Sequence, residues 1–177
     1  MRPPSACLLV LLAATPVFAD EFAKVRCLDK ESLKLLDSVR EQSVTARRMI
    51  ERLESSDMIT YVRIAPTFGR LRATTRILGH VEDARFVLIS ITSLASRADR
   101  ALLLGHELQH AVELAEAPWV RNDQGMVEMY ERIGWRESSN AYETPAAVEA
   151  GRVVREEIYA FARMARNGTA LPATSAR

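Results

Sequence analysis

Two histidines and a glutamate stand together in the segment His106-Glu107-Leu108-Gln109-His110. Four residues advance an α-helix by about 400°, so His106 and His110 lie one turn apart and within about 40° of the same face. Two imidazoles so placed can bind one Zn²⁺, each through a bond of about 2.0–2.1 Å. Glu107 is turned about 100° away from His106. It does not easily enter the same coordination sphere, but its carboxylate can reach a water on the metal. Zinc lowers the pKa of such a water to about 7, and a carboxylate beside it is placed to take the proton. The chain has only 3 histidines, and this segment holds two of them. The plain alternative is an amphipathic helix with two solvated or core histidines.

That chemistry needs a helix held against a core. The 177 residues suit one domain, and 48% apolar with 27% charged residues is the balance of a globular protein. Aromatics are 6%, so aliphatic side chains must fill the core. Leu36, Val39, Ser43, Ala46, Ile50 and Leu53 recur at three- and four-residue steps and predict one long amphipathic helix over residues 29–55, with Asp29 as N-cap. Residues 58–64, 71–78 and 84–91 predict three strands, with turns at 66–69 and 79–83, in a small twisted, mainly antiparallel sheet. Ser96 is the expected N-cap of the histidine-bearing helix, and Pro118 stops it. The run Leu102-Leu103-Leu104 buries that helix, and Gly105 lets another backbone come close. Asn122 or Asp123 opens a short helix that ends at Gly134, and residues 135–143 read as a loop. Thr144 and Pro145 open a last helix that runs to about Arg166. The fold class expected is α+β, with one domain over residues 20–166 and a disordered tail over 167–177. The tail includes the sequon Asn167-Gly168-Thr169.

Residues 1–19 read as an export signal: Arg2, the apolar run 6–14, then Val17-Phe18-Ala19 as a cleavage pattern. The apolar run is short of the about 20 residues a spanning helix needs. Removing the signal takes away Arg2 and no acid, which brings the chain's 24 basic and 23 acidic residues into balance. Such a chain offers no basis for nucleic-acid or anionic-membrane partners. The expected place is periplasmic or secreted, with no integral membrane segment after signal removal; the oligomeric state stays open. Cys7 lies in the signal, so Cys27 is alone in the mature chain and has no internal disulfide partner.

The segment GHELQHAVE, on a helix after a strand, resembles the zincin metallopeptidases over roughly residues 84–165. Metzincins continue as HExxHxxGxxH. Here Glu113 stands at the glycine's place and Glu116 at the third histidine's, which speaks against that branch. Peptide deformylases place a ligand cysteine upstream in a Gly-Cys-Leu setting that Cys27 lacks. The gluzincins take a glutamate from a later helix, and Tyr142-Glu143-Thr144-Pro145-Ala146-Ala147 resembles their Glu-x-x-Ala pattern. The resemblance therefore implies a minimal zincin-like fold, a Zn²⁺ held by His106, His110 and Glu143, and hydrolysis of peptide bonds in a peptide or protein substrate with Glu107 as general base. Glu149 remains the alternative third ligand. Glu113, one turn beyond the pair, suits support of a ligand rather than ligation. In zincins the strand before the metal helix is often a sheet edge that pairs with substrate, so residues 84–91 are either that edge or an interior strand. His80, Tyr130, Tyr142 and Arg152 are candidate donors to a transition-state oxyanion by type. Two other readings stand beside the enzyme: an exported zincin-like binding or structural protein without turnover, and a metal-free helical module that uses residues 29–55.

Overall fold

The computed structural model describes residues 23–66, 71–138 and 141–168. The expected export signal, and residues 169–177 of the expected tail, lie outside the described residues. Along the chain come β1 (Val25–Cys27), α1 (Lys30–Gln42), α2 (Val44–Glu54), β2 (Met58–Ala65), β3 (Ala73–Val81), β4 (Ala84–Thr92), α3 (Arg97–Glu116), α4 (Asp123–Ile133), β5 (Trp135–Ser138), β6 (Ala141–Glu143) and α5 (Pro145–Gly168). The arrangement is mixed α and β, in keeping with the α+β class. No helix among the described residues is long and apolar enough to cross a membrane.

Four caps named from the sequence form. Asp29 accepts from the Ser32 amide at 2.7 Å and Ser96 from the Asp99 amide at 3.2 Å. Asn122 accepts from the Gly125 amide at 2.9 Å and Thr144 from the Ala147 amide at 3.0 Å. Each satisfies a helix-start amide that has no partner inside the helix. The alternating strands β2 and β4 turn Met58, Val62, Val87, Ile89 and Ile91 into one core with Leu104, Leu108 and Leu114 of α3 and Leu36, Val39, Ile50 and Leu53 of α1 and α2.

The single helix expected over 29–55 is instead two. Ser43 is extended, with φ −128° and ψ 120°, and caps α2 by accepting from the Ala46 amide at 3.0 Å. Glu157 of α5 fixes the break: it accepts from the Ser43 hydroxyl, from the Thr45 amide at 3.1 Å and from the Thr45 hydroxyl at 3.0 Å. A serine side chain that bonds nearby amides competes with helix continuation, and a distant carboxylate here decides the contest.

The sheet also departs from expectation. Its order is β1-β2-β4-β3; β1–β2 and β2–β4 are parallel, and only β3–β4 is antiparallel. β3 lies outside β4 rather than beside β2, and the chain turns from β3 into β4 at Glu82, where φ is +53°. Strand 84–91 is therefore interior, and β3 is the edge. The expected turn at 79–83 shrinks because β3 continues through a bulge between Ile77 and Gly79. β1 and the paired strands β5 and β6 occupy stretches with no strand pattern; β5 is exposed throughout, so no apolar alternation marks it.

One buried charge joins these layers. Arg85 of β4 is fully buried; its Nε and Nη2 donate to the Asp57 carboxylate at 2.7 Å each. Its Nη1 donates to the carbonyls of Leu114 at 2.8 Å, Ala117 at 3.0 Å and Val120 at 3.1 Å. The Leu114 and Ala117 carbonyls also accept from the Ala117 and Val120 amides in the turn that ends the helix, and a guanidinium is attracted to this negative end of the helix dipole. Arg85 thereby pins the end of the histidine-bearing helix to the sheet.

Candidate active site

Helix α3 carries His106, Glu107, His110 and Glu113, and α5 packs closely on it. A Cβ added at Gly105 would lie 2.8 Å from the Val154 side chain, and one at Gly151 would lie 3.0 Å from the Leu102 carbonyl and 3.2 Å from the His106 Cβ. This close approach brings β6, just before α5, onto the face of α3 that carries the histidines. The His106 and His110 Nε2 atoms stand 3.1 Å apart, and His106 Nε2 is 3.3 Å from Glu143 Oε2. One donor atom from each of His106, His110 and Glu143 lies within 4.8 Å of the others. Glu149 is elsewhere, on the surface, paired with Arg152 at 2.5 Å. Glu116 is also at the surface, against Arg52.

Supporting bonds orient these groups. Glu113 Oε2 is 2.9 Å from His110 Nδ1, and its other oxygen accepts from the Thr144 hydroxyl at 2.6 Å. With Nδ1 donating to a carboxylate, His110 presents Nε2 as a lone pair. Thr144 thus links the start of α5 to α3 while its oxygen caps α5. Glu107 is buried, and its Oε2 accepts from the Thr75 hydroxyl of β3 at 2.7 Å. Burial raises the Glu107 pKa, opposed by the two histidines and the Thr75 bond. Burial alone would lower the His106 pKa, but the bond to Glu143 and the neighbouring carboxylates outweigh it and raise it. Burial and the same three acids push the Tyr130 phenol far up, so it stays protonated.

A cavity of about 610 Å³ opens on this cluster, lined among others by Glu107, His110, Glu143, Thr75, Tyr130 and Tyr142. Tyr130 stands edge-on to His110 with ring centres 5.2 Å apart and stacks on Tyr142 at 5.9 Å. Of the four donors considered by type, the cavity takes Tyr130 and Tyr142. The Tyr142 hydroxyl is engaged by Arg136. His80 is exposed on β3, and Arg152 is tied to Glu149 and Glu156 at the surface.

Compared with known proteins, the chain matches no family model, no curated protein and no solved structure. Two imidazole nitrogens and a carboxylate oxygen, converging beside a cavity, are a donor set that suits zinc. Sequence reasoning did not find Thr75 or Arg85, and it read Thr144 only as a cap. Thr75 carries no local signal: it is one β-branched residue in a strand of them. Its role comes from the packing of β3 over α3.

Proposed function

We propose that this chain is a zinc-dependent peptide hydrolase of the gluzincin kind, acting outside the cytoplasm after loss of its first nineteen residues. The observation that carries the reading is the convergence of His106, His110 and Glu143 with a buried glutamate, Glu107, beside but off their common point. A purely structural metal site has no use for that fourth group. Zinc held by His106, His110 and Glu143 would polarise the scissile carbonyl and lower the pKa of a water at the open position.

Glu107 takes the proton of the attacking water and passes it to the leaving amine nitrogen as the C–N bond breaks. Its burial beside the histidines keeps the carboxylate from bulk water, a setting in which a positioned base acts best. The Thr75 hydroxyl holds the carboxylate in one orientation while this happens. Tyr130, protonated and lining the cavity, supplies an O–H to the oxygen that gains negative charge. Residues 73–76 of β3 all line the cavity, and consecutive strand residues face opposite ways, so the cavity runs along that strand's free edge. An extended substrate adds to this edge through backbone hydrogen bonds.

Glu107→Gln tests the reading. It keeps size and the bond from Thr75 but removes the proton acceptor. Zinc content by elemental analysis should stay near one per chain, while cleavage of a broad peptide library falls by on the order of 10²–10⁴-fold. Equal cleavage by wild type and variant would show that any activity arises elsewhere, and a wild type that binds zinc but cleaves nothing would favour a binding protein.

A further inference from the structure

We propose that the cleft selects acidic peptides, with Arg63 and Arg76 receiving a substrate carboxylate. Calling the occupant a substrate rests on the hydrolase reading; the binding itself does not. Both arginines line the same cavity as Glu107, His110 and Glu143. Arg63 lies opposite Ser90, Ser90 opposite Thr74, and Arg76 opposite Leu88. That register puts Arg63 and Arg76 on one face of the sheet, the face turned away from Thr75 and α3. The Arg63 Nε donates to the Ser90 hydroxyl at 2.9 Å. This bond fixes the guanidinium plane and leaves both terminal nitrogens to receive a carboxylate in the two-pronged manner that arginine favours.

Neither arginine reaches a carboxylate among the described residues, whereas Arg85, Arg100, Arg136 and Arg152 each do. Arg63 is half-buried, so its charge has given up part of its hydration without an ionic partner. The sheet offers none: β1 to β4 contain no aspartate or glutamate and four arginines. The acids that line the cavity, Glu107, Glu143 and Asp123, come from α3, β6 and α4. An extended peptide on the β3 edge sends alternate side chains to opposite faces of the sheet. One set turns toward α3 and Glu107. The other set crosses the face that bears Arg76 and Arg63, where a carboxylate gains charge-assisted bonds and a lysine or arginine meets two like charges.

The experiment uses the mature chain carrying Glu107→Gln, so that bound peptide is not turned over. Two fluorescent pools of random peptides differ only in having glutamate or glutamine at alternate positions. Anisotropy titrations should show the glutamate pool bound about tenfold more tightly. The preference should shrink as salt rises. Adding Arg63→Gln and Arg76→Gln should bring the ratio close to one, and Arg63→Lys should restore only part of it, because lysine keeps the charge and loses the fork. Circular dichroism and zinc content establish that each variant is folded. Equal binding of the two pools, or a preference that survives the double substitution, overturns the proposal. The protein without Glu107→Gln separates the two claims. Arginine-dependent preference with no cleavage of either pool sustains the acidic subsite and removes the hydrolase. Cleavage of both pools at equal rates does the reverse.

Discussion

Two buried polar clusters follow one another along α3, and they are built on opposite principles. At its end, each of the three guanidinium nitrogens of Arg85 donates to Asp57 or to a carbonyl, so one cation meets one anion. In its middle, Glu107, Glu113 and Glu143 crowd two imidazoles whose Nε2 atoms face each other at 3.1 Å. The first cluster is complete without a ligand. The second has acceptors in excess around a shared point beside a cavity, an arrangement that could hold a divalent cation. A closed network holds the fold; an open one with surplus negative charge is where a ligand belongs.

The contrast breaks most visibly at Arg85. Arg85→Met fills similar volume but leaves the Asp57 carboxylate and the Val120 carbonyl without their donor, and takes the second of two donors from the Leu114 and Ala117 carbonyls. A loss of about 3–5 kcal/mol is expected, read by urea denaturation. In metal-free protein Glu107→Gln should cost almost nothing or stabilise, because it removes a buried charge from a crowd of like charges while keeping the bond from Thr75. If the two variants melted alike without metal, the distinction between closed and open clusters would be lost. The open cluster should gain from zinc what the closed one has already: zinc should raise the melting temperature of wild type, and His106→Ala or His110→Ala should abolish both the shift and stoichiometric binding.

A smaller effect lies between the clusters, at the helix contact that brings Glu143 to the histidines. Gly105→Ala puts a methyl 2.8 Å from Val154. Overpacking of this kind costs about 1–3 kcal/mol. The predicted signature is weaker zinc affinity together with lower stability, since separating α5 from α3 withdraws Glu143. The Val154 Cβ is itself 2.8 Å from that methyl, so Gly105→Ala combined with Val154→Gly should restore the zinc affinity, with stability still lowered by about the 1 kcal/mol that glycine costs inside a helix. Failure of the double variant would mean that the spacing of these helices does not set the site.

How much of this was legible in the sequence follows from range. The caps at Asp29, Ser96, Asn122 and Thr144 and the histidine pair depend on residues three or four positions apart, and each is where local reasoning puts it. Strands β2 and β4 were legible because β-branched residues announce them. The break at Ser43 was not, because Glu157, 114 residues later, makes it. The parallel order of the sheet depends on where the chain passes between β2 and β3, which no strand's own pattern records. Thr75 meets Glu107 across 32 residues and Arg85 meets Asp57 across 28, both through tertiary packing alone. Glu143 could be named but not placed: the stretch read as a loop over 135–143 holds two paired strands, β5 and β6, and the second delivers the carboxylate.

The smallest effect sharpens the closed cluster by pH. The bonds from Arg85 hold the Asp57 carboxyl below its ordinary range, against the opposing effect of burial. A carboxyl with a depressed folded pKa stabilises the protein fully above its unfolded pKa, about 3.9, and that stability drains away as pH falls toward the folded value. Asp57 is partly exposed, so water replaces some of what the pair loses, and the contribution is modest. Other depressed carboxyls, Asp29 and Glu157 among them, titrate in the same region and hide it in a single melt. The difference between wild type and Asp57→Asn isolates it, because asparagine mimics the protonated acid at every pH. That difference should be constant from neutral pH down to about pH 4 and shrink below it. If it instead stays level down to about pH 2, the Arg85–Asp57 bonds do not favour the charged carboxylate, and Arg85 stabilises the fold through the Leu114, Ala117 and Val120 carbonyls alone.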